Sequence, residues 1–216
     1  MIYIKDVVLA EKSEKDKRIK TDYKLLHQAA YDLLQAAVKK EYPELESKLT
    51  MHRQGHGKPY FVMNEGESVQ RAQVQFNISH SFHKVACVIG KGEFGIDIEK
   101  IRPWSEKVAR RVLHPTEWDY LEKSEKKDED FIRFWTLKES YGKYCEKGIG
   151  MDLKKIFFAL NQSAEQGNEI ASNQENLLFF QWKIEPDYYL SVCMEKDLQD
   201  ISTLTNLCFD DKIETC

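Results

Sequence analysis

The stretch "EFGIDIEK" (residues 93–100) sets two carboxylates, Asp97 and Glu99, two residues apart inside a run that otherwise reads as a strand. Alternation would turn Phe94, Ile96 and Ile98 to one face and Gly95, Asp97 and Glu99 to the other. Acids at i and i+2 lie roughly 7 Å apart, near enough to repel each other and near enough to reach one cation. A solvated outer face is the ordinary destination of such a pair. A second cluster, in "FIRFWTLKESYGKYC" (131–145), weighs against it. At helical periodicity Phe131, Phe134, Trp135, Tyr141 and Cys145 share an apolar face, with Lys138 at its centre. An ammonium there must run its stem past the core or meet an anion. Glu139 stands at the edge of that face and Lys143 one turn further on. By themselves these two would form a surface i,i+4 pair worth a few tenths of a kcal/mol, which leaves Lys138 unexplained.

Three acids with lysines beside them suit a magnesium-bound polyphosphate. Mg²⁺ takes oxygen ligands, keeps several waters and is readily shared with phosphates. The ion would relieve the repulsion between Asp97 and Glu99, and the lysines would offset the phosphate charge that remains.

The elements that must hold these groups can be read along the chain. "MIYIKDVVLA" predicts an opening strand, and apolar residues at Tyr23, Leu26, Ala30, Leu33, Leu34, Ala37 and Val38 predict a helix ended by Pro43. "RQGHGKPYF" reads as a loop. Residues 74–81 and 84–90 predict a hairpin whose second strand, "VACVI", is apolar throughout and buried on both faces. After "GEFGIDIE" come helices at "SEKVARRVL" and "HPTEWDYLEK", a solvated link over 122–130, and the helix 131–146. A polar loop over 161–176 leads to a last hairpin with "EPDY" at its turn and an acidic, loose tail beyond 197. "KVACVI" (84–89) and "YLSVCM" (189–194) fall on the return strands of their hairpins, and each half of the chain has a long helix, which suggests two similar α+β halves.

With 216 residues, 42% of them apolar, the chain can bury one sizeable domain or two small ones. A net charge near −4 does not suit a nucleic-acid binder. The five cysteines are odd in number and lack any C-x-x-C spacing, so neither a disulfide framework nor a zinc site is expected. No apolar run reaches membrane-spanning length and no signal-peptide pattern opens the chain; the expectation is a cytoplasmic protein.

"GKP" (57–59), "FNISHS" (76–81), "GIDIEKIRP" (95–103), "HPTEWDYL" (114–121) and "FWTLKESYGKYCEKGIG" (134–150) stand in the order and at about the spacing of the 4′-phosphopantetheinyl transferases. Over residues 23 to about 195 the chain resembles their larger, single-chain, surfactin-activating (Sfp-like) subclass. The resemblance implies an α+β monomer of two similar halves related by a pseudo-twofold, residues 1–100 and 101–216, with coenzyme A in the cleft between them. It implies transfer of the phosphopantetheine arm from coenzyme A to a serine of an apo acyl, peptidyl or aryl carrier protein, with release of 3′,5′-ADP. By motif position Asp97, Glu99 and Glu139 would hold Mg²⁺, or Mn²⁺ in its place, against the pyrophosphate. Glu139 would also take the serine proton, directly or through a metal-bound water. Lys143 would meet the pyrophosphate with help from Lys138, for which a structural pairing stays open. Ser79 and His80 would contact the 3′-phosphate, and Gly57, Lys58 and Pro59 the adenine. Glu117 corresponds to a family acid of unassigned role.

The chain departs from the family in two places. It is shorter before "GKP", so the basic residues reaching the 3′-phosphate do not align; among Lys17, Arg18, Lys20, Lys24 and Arg53, Arg53 is selected. Cys145 and Glu146 stand where small residues are common, which bears on the contacts of Lys147. His27, His52, His56, His83 and His114 are read as packed or solvent-facing, and Phe179, Phe180 and Trp182 as core. Arg110 and Arg111 are either part of a carrier-docking patch or a solvated helix face. Two rival functions stand beside transfer. One is a paralogue that binds coenzyme A and carrier without catalysis, against which the costly acid pair argues. The other is a different magnesium-dependent nucleotide enzyme, weakened by the absence of G-x-x-x-x-G-K-[ST] and G-x-G-x-x-G.

Overall fold

A computed structural model describes residues 1–8, 23–55, 57–65, 68–146, 151–160, 167–197 and 207–209. Strand β1 (Ile2–Asp6) and helix α1 (Tyr23–Glu41) are followed by β2 (Leu49–His52), β3 (Tyr60–Glu65), β4 (Ser68–Arg71), β5 (Val74–Ser81), β6 (Lys84–Lys91) and β7 (Phe94–Lys100). Three helices come next: α2 (Glu106–Val112), α3 (Pro115–Lys123) and α4 (Lys127–Tyr144). Short strands β8 (Phe158–Ala159), β9 (Asn168–Glu169) and β10 (Ala171–Ser172) precede the hairpin β11 (Leu177–Ile184) and β12 (Tyr188–Glu195), and β13 (Leu207–Phe209) ends the described chain. The α+β class expected from sequence is thus the class observed.

Two four-stranded sheets, ordered β13-β1-β6-β5 and β7-β12-β11-β9, carry the molecule. Each contains an opening strand paired antiparallel with the return strand of a hairpin. The similar runs "KVACVI" and "YLSVCM" fall on those return strands, β6 and β12. By hydrogen bonding β7 belongs with β11 and β12, while β13 lies parallel to β1 at the edge of the other sheet. The β2–β4 sheet and β13 were not anticipated. Among the described residues no helix is long and apolar enough to cross a membrane.

Alternation accounts for the layers. Ile2, Ile4, Ala86 and Val88 from the first sheet meet Phe94, Ile96, Ile98, Leu190 and Val192 from the second in one core between the sheets. The opposite sides of β1 and β6, with Tyr3, Val85, Cys87 and Ile89, take the apolar face of α1. That face is the expected one except for Tyr23, which is 71% exposed. Helix α4 lies against β7 and β12 and starts at Lys127, four residues earlier than the sequence reading. Asp128, Glu129 and Asp130 fill its first turn, where acids complement the positive end of the helix dipole. The expected solvated link is thereby shortened to residues 124–126, and the acids that follow it are engaged: Glu129 accepts from Lys183 at 3.2 Å and Asp130 from Ser124 at 2.6 Å.

Two features fix α4 in place. A Cβ at Gly95 would lie 1.8 Å from the Ser140 carbonyl oxygen and 2.7 Å from the Tyr144 nitrogen, so only glycine allows the helix this close to β7. On the helix's other side Lys138, fully buried, pairs with Glu117 at 2.8 Å and donates to the carbonyls of Leu153 at 2.9 Å and Ile156 at 2.7 Å. Glu117 in turn accepts from the backbone of His114 at the head of α3 and of Phe158. All three ammonium protons are used inside the core, which gives both residues of this pair a structural task.

Gly95→Ala is expected to cost at least about 3 kcal/mol, because backbone on both elements must move; urea denaturation measures it. Lys138→Met should cost about 3–5 kcal/mol by stranding the Glu117 carboxylate, and Glu117→Leu with Lys138→Met should cost less than the single change. A double variant no more stable than the single one would remove the pairing argument.

Candidate active site

The edge strands of the two sheets, β5 and β7, run side by side without pairing through their backbones. Side chains bridge them instead. Asn77 Nδ2 donates to the Phe94 carbonyl at 3.2 Å, Ile98 N donates to Ser79 Oγ at 3.2 Å, and Lys100 N to Ser81 Oγ at 3.3 Å. These residues alternate along β5, so one face of that strand is given over to the seam.

The acids of "GIDIEK" stand on this seam, Asp97 buried and Glu99 partly so. Asp97 is 5% exposed; its Oδ1 accepts from Ser79 Oγ at 2.9 Å and from Lys143 Nζ at 2.8 Å. Lys143 reaches from the last turn of α4 and also donates to Ser79 Oγ at 2.8 Å and the Ile96 carbonyl at 2.9 Å. Glu99 takes Ser81 at 2.8 Å and Arg102 at 2.9 Å, both on Oε2. Glu139 enters from α4, and its Oε1 is buried without a protein hydrogen bond, as is Oδ2 of Asp97. Burial first and the Asp97 charge second push the Glu139 carboxyl up to about 7, against the pull of Lys143. Burial and Asp97 raise Glu99 as well, opposed by Arg102 and Ser81. The three acids feel one another's charge.

Beneath the acids a row of polar groups holds α4 in register. Asp97, Ser191 and Gln181 are neighbours across β7, β12 and β11. On α4, Arg133, Thr136, Ser140 and Lys143 recur at i, i+3, i+7 and i+10, a single stripe. Thr136 Oγ1 and Ser191 Oγ lie 2.8 Å apart, Gln181 Nε2 donates to Ser191 at 3.0 Å, and Arg133 Nε donates to Gln181 at 3.0 Å. Every one of these side chains is buried, so the network is satisfied within the protein rather than by solvent.

Among the described residues no three Asp, Glu, His or Cys side chains close into a formed metal cage, and Asp97 Oδ1 is held by the Lys143 ammonium. The donor set nonetheless fits a hard cation: Asp97 Oδ2 and Glu139 Oε1 are carboxylate oxygens out of water and without donors, the demand that Mg²⁺ satisfies.

The other expected site residues are distributed unevenly. Lys138 is a correction: it is absorbed by Glu117 and two carbonyls and has no proton to offer a phosphate. Ser79 is buried with the acids, its hydroxyl engaged by Asp97, Lys143 and Ile98 N. His80 is half-buried beside the edge of the Tyr23 ring, and burial followed by the charge of Lys143 lowers its pKa. In the "GKP" loop Gly57 is exposed and Pro59 partly buried, while the Lys58 ammonium is committed to Glu93 at 2.9 Å and the Phe94 carbonyl at 2.8 Å. Arg53 is exposed just past β2, and Lys24 is exposed in the first turn of α1. Lys17, Arg18, Lys20 and Lys147 lie outside the described residues. Arg110 is paired with Glu106 at 2.8 Å and sits 4.0 Å from the Trp118 ring. Ser81, Arg102 and the Arg133–Gln181 network were missed; the period-two spacing of Asn77, Ser79 and Ser81 was a legible signal for the first.

Residues 93–193, the span of β7 through β12, match the family model described as the 4′-phosphopantetheinyl transferase superfamily. The chain is 29% identical over 163 residues to the 4′-phosphopantetheinyl transferase Sfp of Bacillus subtilis, covering 74% of this chain and 70% of that protein. It is 35% identical over 112 residues to the 4′-phosphopantetheinyl transferase HetI of a Nostoc species, covering 50% and 45%. A further relative, the 4′-phosphopantetheinyl transferase gsp of Aneurinibacillus migulanus, is 34% identical over 106 residues, covering 48% and 45%. Residues 93–193 bring Asp97, Glu99, Glu139 and Lys143 together at one seam, and over that span and these relatives the chain is similar to the 4′-phosphopantetheinyl transferases, Sfp among them.

Proposed function

We propose that this protein transfers the 4′-phosphopantetheine group of coenzyme A to a serine hydroxyl of an apo carrier protein, leaving holo carrier and 3′,5′-ADP. The observation that carries the reading is the convergence of Asp97, Glu99, Glu139 and Lys143, with two carboxylate oxygens buried and undonated. The serine oxygen forms a new bond to the β-phosphorus as the bond to the ADP oxygen breaks, and the serine proton must leave. Glu139 is the acceptor: a carboxylate held near neutrality by burial is matched to that task. Lys143, a cation beside the acids, neutralises charge on the pyrophosphate, and the buried stripe of α4 holds it in position. Asp97, Glu99 and Glu139 are the residues that would hold Mg²⁺ or Mn²⁺. Such an ion, when bound, supplies charge neutralisation to the pyrophosphate. The "GKP" loop, His80 and Arg53 line the proposed coenzyme A contact, with the protein acting as a monomer in the cytoplasm.

Glu139→Gln keeps the shape and removes the base. Holo-carrier formation, followed by mass, should fall at least about 100-fold; a rate near that of the unmodified protein would refute the role. With coenzyme A and carrier saturating, the rate of the unmodified protein should decline as Glu139 becomes protonated on the acid side.

The same residue makes a stability prediction. Its folded pKa, about 7, exceeds its unfolded value of 4.5, so the native state binds the proton more tightly and loses stability as pH rises through that window. Glu139→Gln should therefore melt higher than the unmodified protein at pH 8, by a few degrees, and the difference should shrink toward pH 4. Equal melting points at pH 8 would mean that the carboxylate is not strained.

A further inference from the structure

Ser79 and Ser81 make the same pair of bonds, two residues apart. Ser79 Oγ donates to Asp97 at 2.9 Å and accepts from the next backbone nitrogen, Ile98 N, at 3.2 Å. Ser81 Oγ donates to Glu99 at 2.8 Å and accepts from the next backbone nitrogen, Lys100 N, at 3.3 Å. The repeat has a geometric origin. Both strands have period two, so serines at i and i+2 of β5 meet acids at j and j+2 of β7, and each hydroxyl is fixed by a backbone donor before it turns its proton to the carboxylate. A hydroxyl has one proton and two lone pairs; with Lys143 as a third partner at 2.8 Å, Ser79 has no bonding capacity left for a phosphate. Each serine engages one oxygen of its acid. On Asp97 this leaves Oδ2 buried and undonated; on Glu99 both Ser81 and Arg102 bind Oε2, clear of Oε1.

From this repeat we propose that Ser79 and Ser81 are positioning residues: they lock one oxygen of Asp97 and one of Glu99 to the neighbouring sheet, so that the other oxygens face a shared divalent cation. This assigns the Ser79 hydroxyl to the metal-binding carboxylates instead of the 3′-phosphate, and it gives Ser81 the matching task on Glu99. The inference rests on the proposed function, since it takes these acids to be the ligands of the ion.

The test titrates Mn²⁺ into the full-length protein with coenzyme A present, reading bound metal by electron paramagnetic resonance, and follows melting temperature in parallel. Ser81→Ala, the less buried site, should weaken Mn²⁺ roughly tenfold, as loss of a group that orients a metal ligand does elsewhere. Ser79→Ala should do at least as much. Ser81→Thr, which keeps the hydroxyl, should stay within about threefold of the unmodified protein. In holo-carrier formation at fixed, subsaturating Mn²⁺, kcat should fall for Ser81→Ala while KM for the carrier stays unchanged. Mn²⁺ affinity unaltered in both alanine variants, even with a lowered melting temperature, overturns the proposal and makes the serines part of the seam alone, leaving the transferase reading intact. An unmodified protein that binds no Mn²⁺ beside coenzyme A overturns both.

Discussion

Holding carboxylates out of water beside one another is the constraint on which this structure turns. Asp97 is almost wholly buried, Glu139 has an undonated oxygen, and the two raise each other's energy. A fold that sought only stability would place apolar or neutral groups here. Instead Lys143 is drawn into the cluster, two serines cap individual oxygens, and Arg102 balances Glu99 from the rim. Such an arrangement costs stability that a bound cation and a phosphate can offset, which is why the cluster is read as a site and not as packing.

The rest of the architecture serves to bring these groups together. Two sheets meet edge to edge at β5 and β7, and their unpaired edges are joined by side chains, a solution that also protects them from pairing with other molecules. The same alternation that sends Phe94, Ile96 and Ile98 into the core between the sheets turns Asp97 toward α4. Gly95 lets the helix approach, and the Arg133–Gln181–Thr136–Ser191 network sets its register along the sheet. Lys138 and Glu117 fasten the helix's far side to α3 and to the segment after Asp152. Lys143 at the acid cluster and Lys138 in the core thus sit five residues apart on one helix, facing different layers.

Much of this was legible in the chain because it rests on local periodicity. The strands β5, β6 and β7, the apolar face of α1 and the pairing demand of a lysine at the centre of an apolar helix face all follow from spacing. What was not legible depends on long-range partners. Arg133, Thr136 and Ser140 lie opposite the apolar face of α4, yet they are buried, because β11 and β12 offer Gln181 and Ser191 as polar partners. Lys138 reads as a candidate phosphate ligand until Glu117, 21 positions earlier, is seen at 2.8 Å. Strand β13 exists through its pairing with β1, some two hundred residues away in sequence, and no local pattern announces it.

The central claim concerns where a cation would sit. Crystals of the protein soaked with Mn²⁺ and coenzyme A, measured at a wavelength where manganese scatters anomalously, test it directly. The account predicts one strong anomalous peak bounded by the carboxylates of Asp97, Glu99 and Glu139 and by the pyrophosphate. A peak elsewhere, or a bound pyrophosphate with Lys143 still on Asp97 and no metal among the acids, would contradict it.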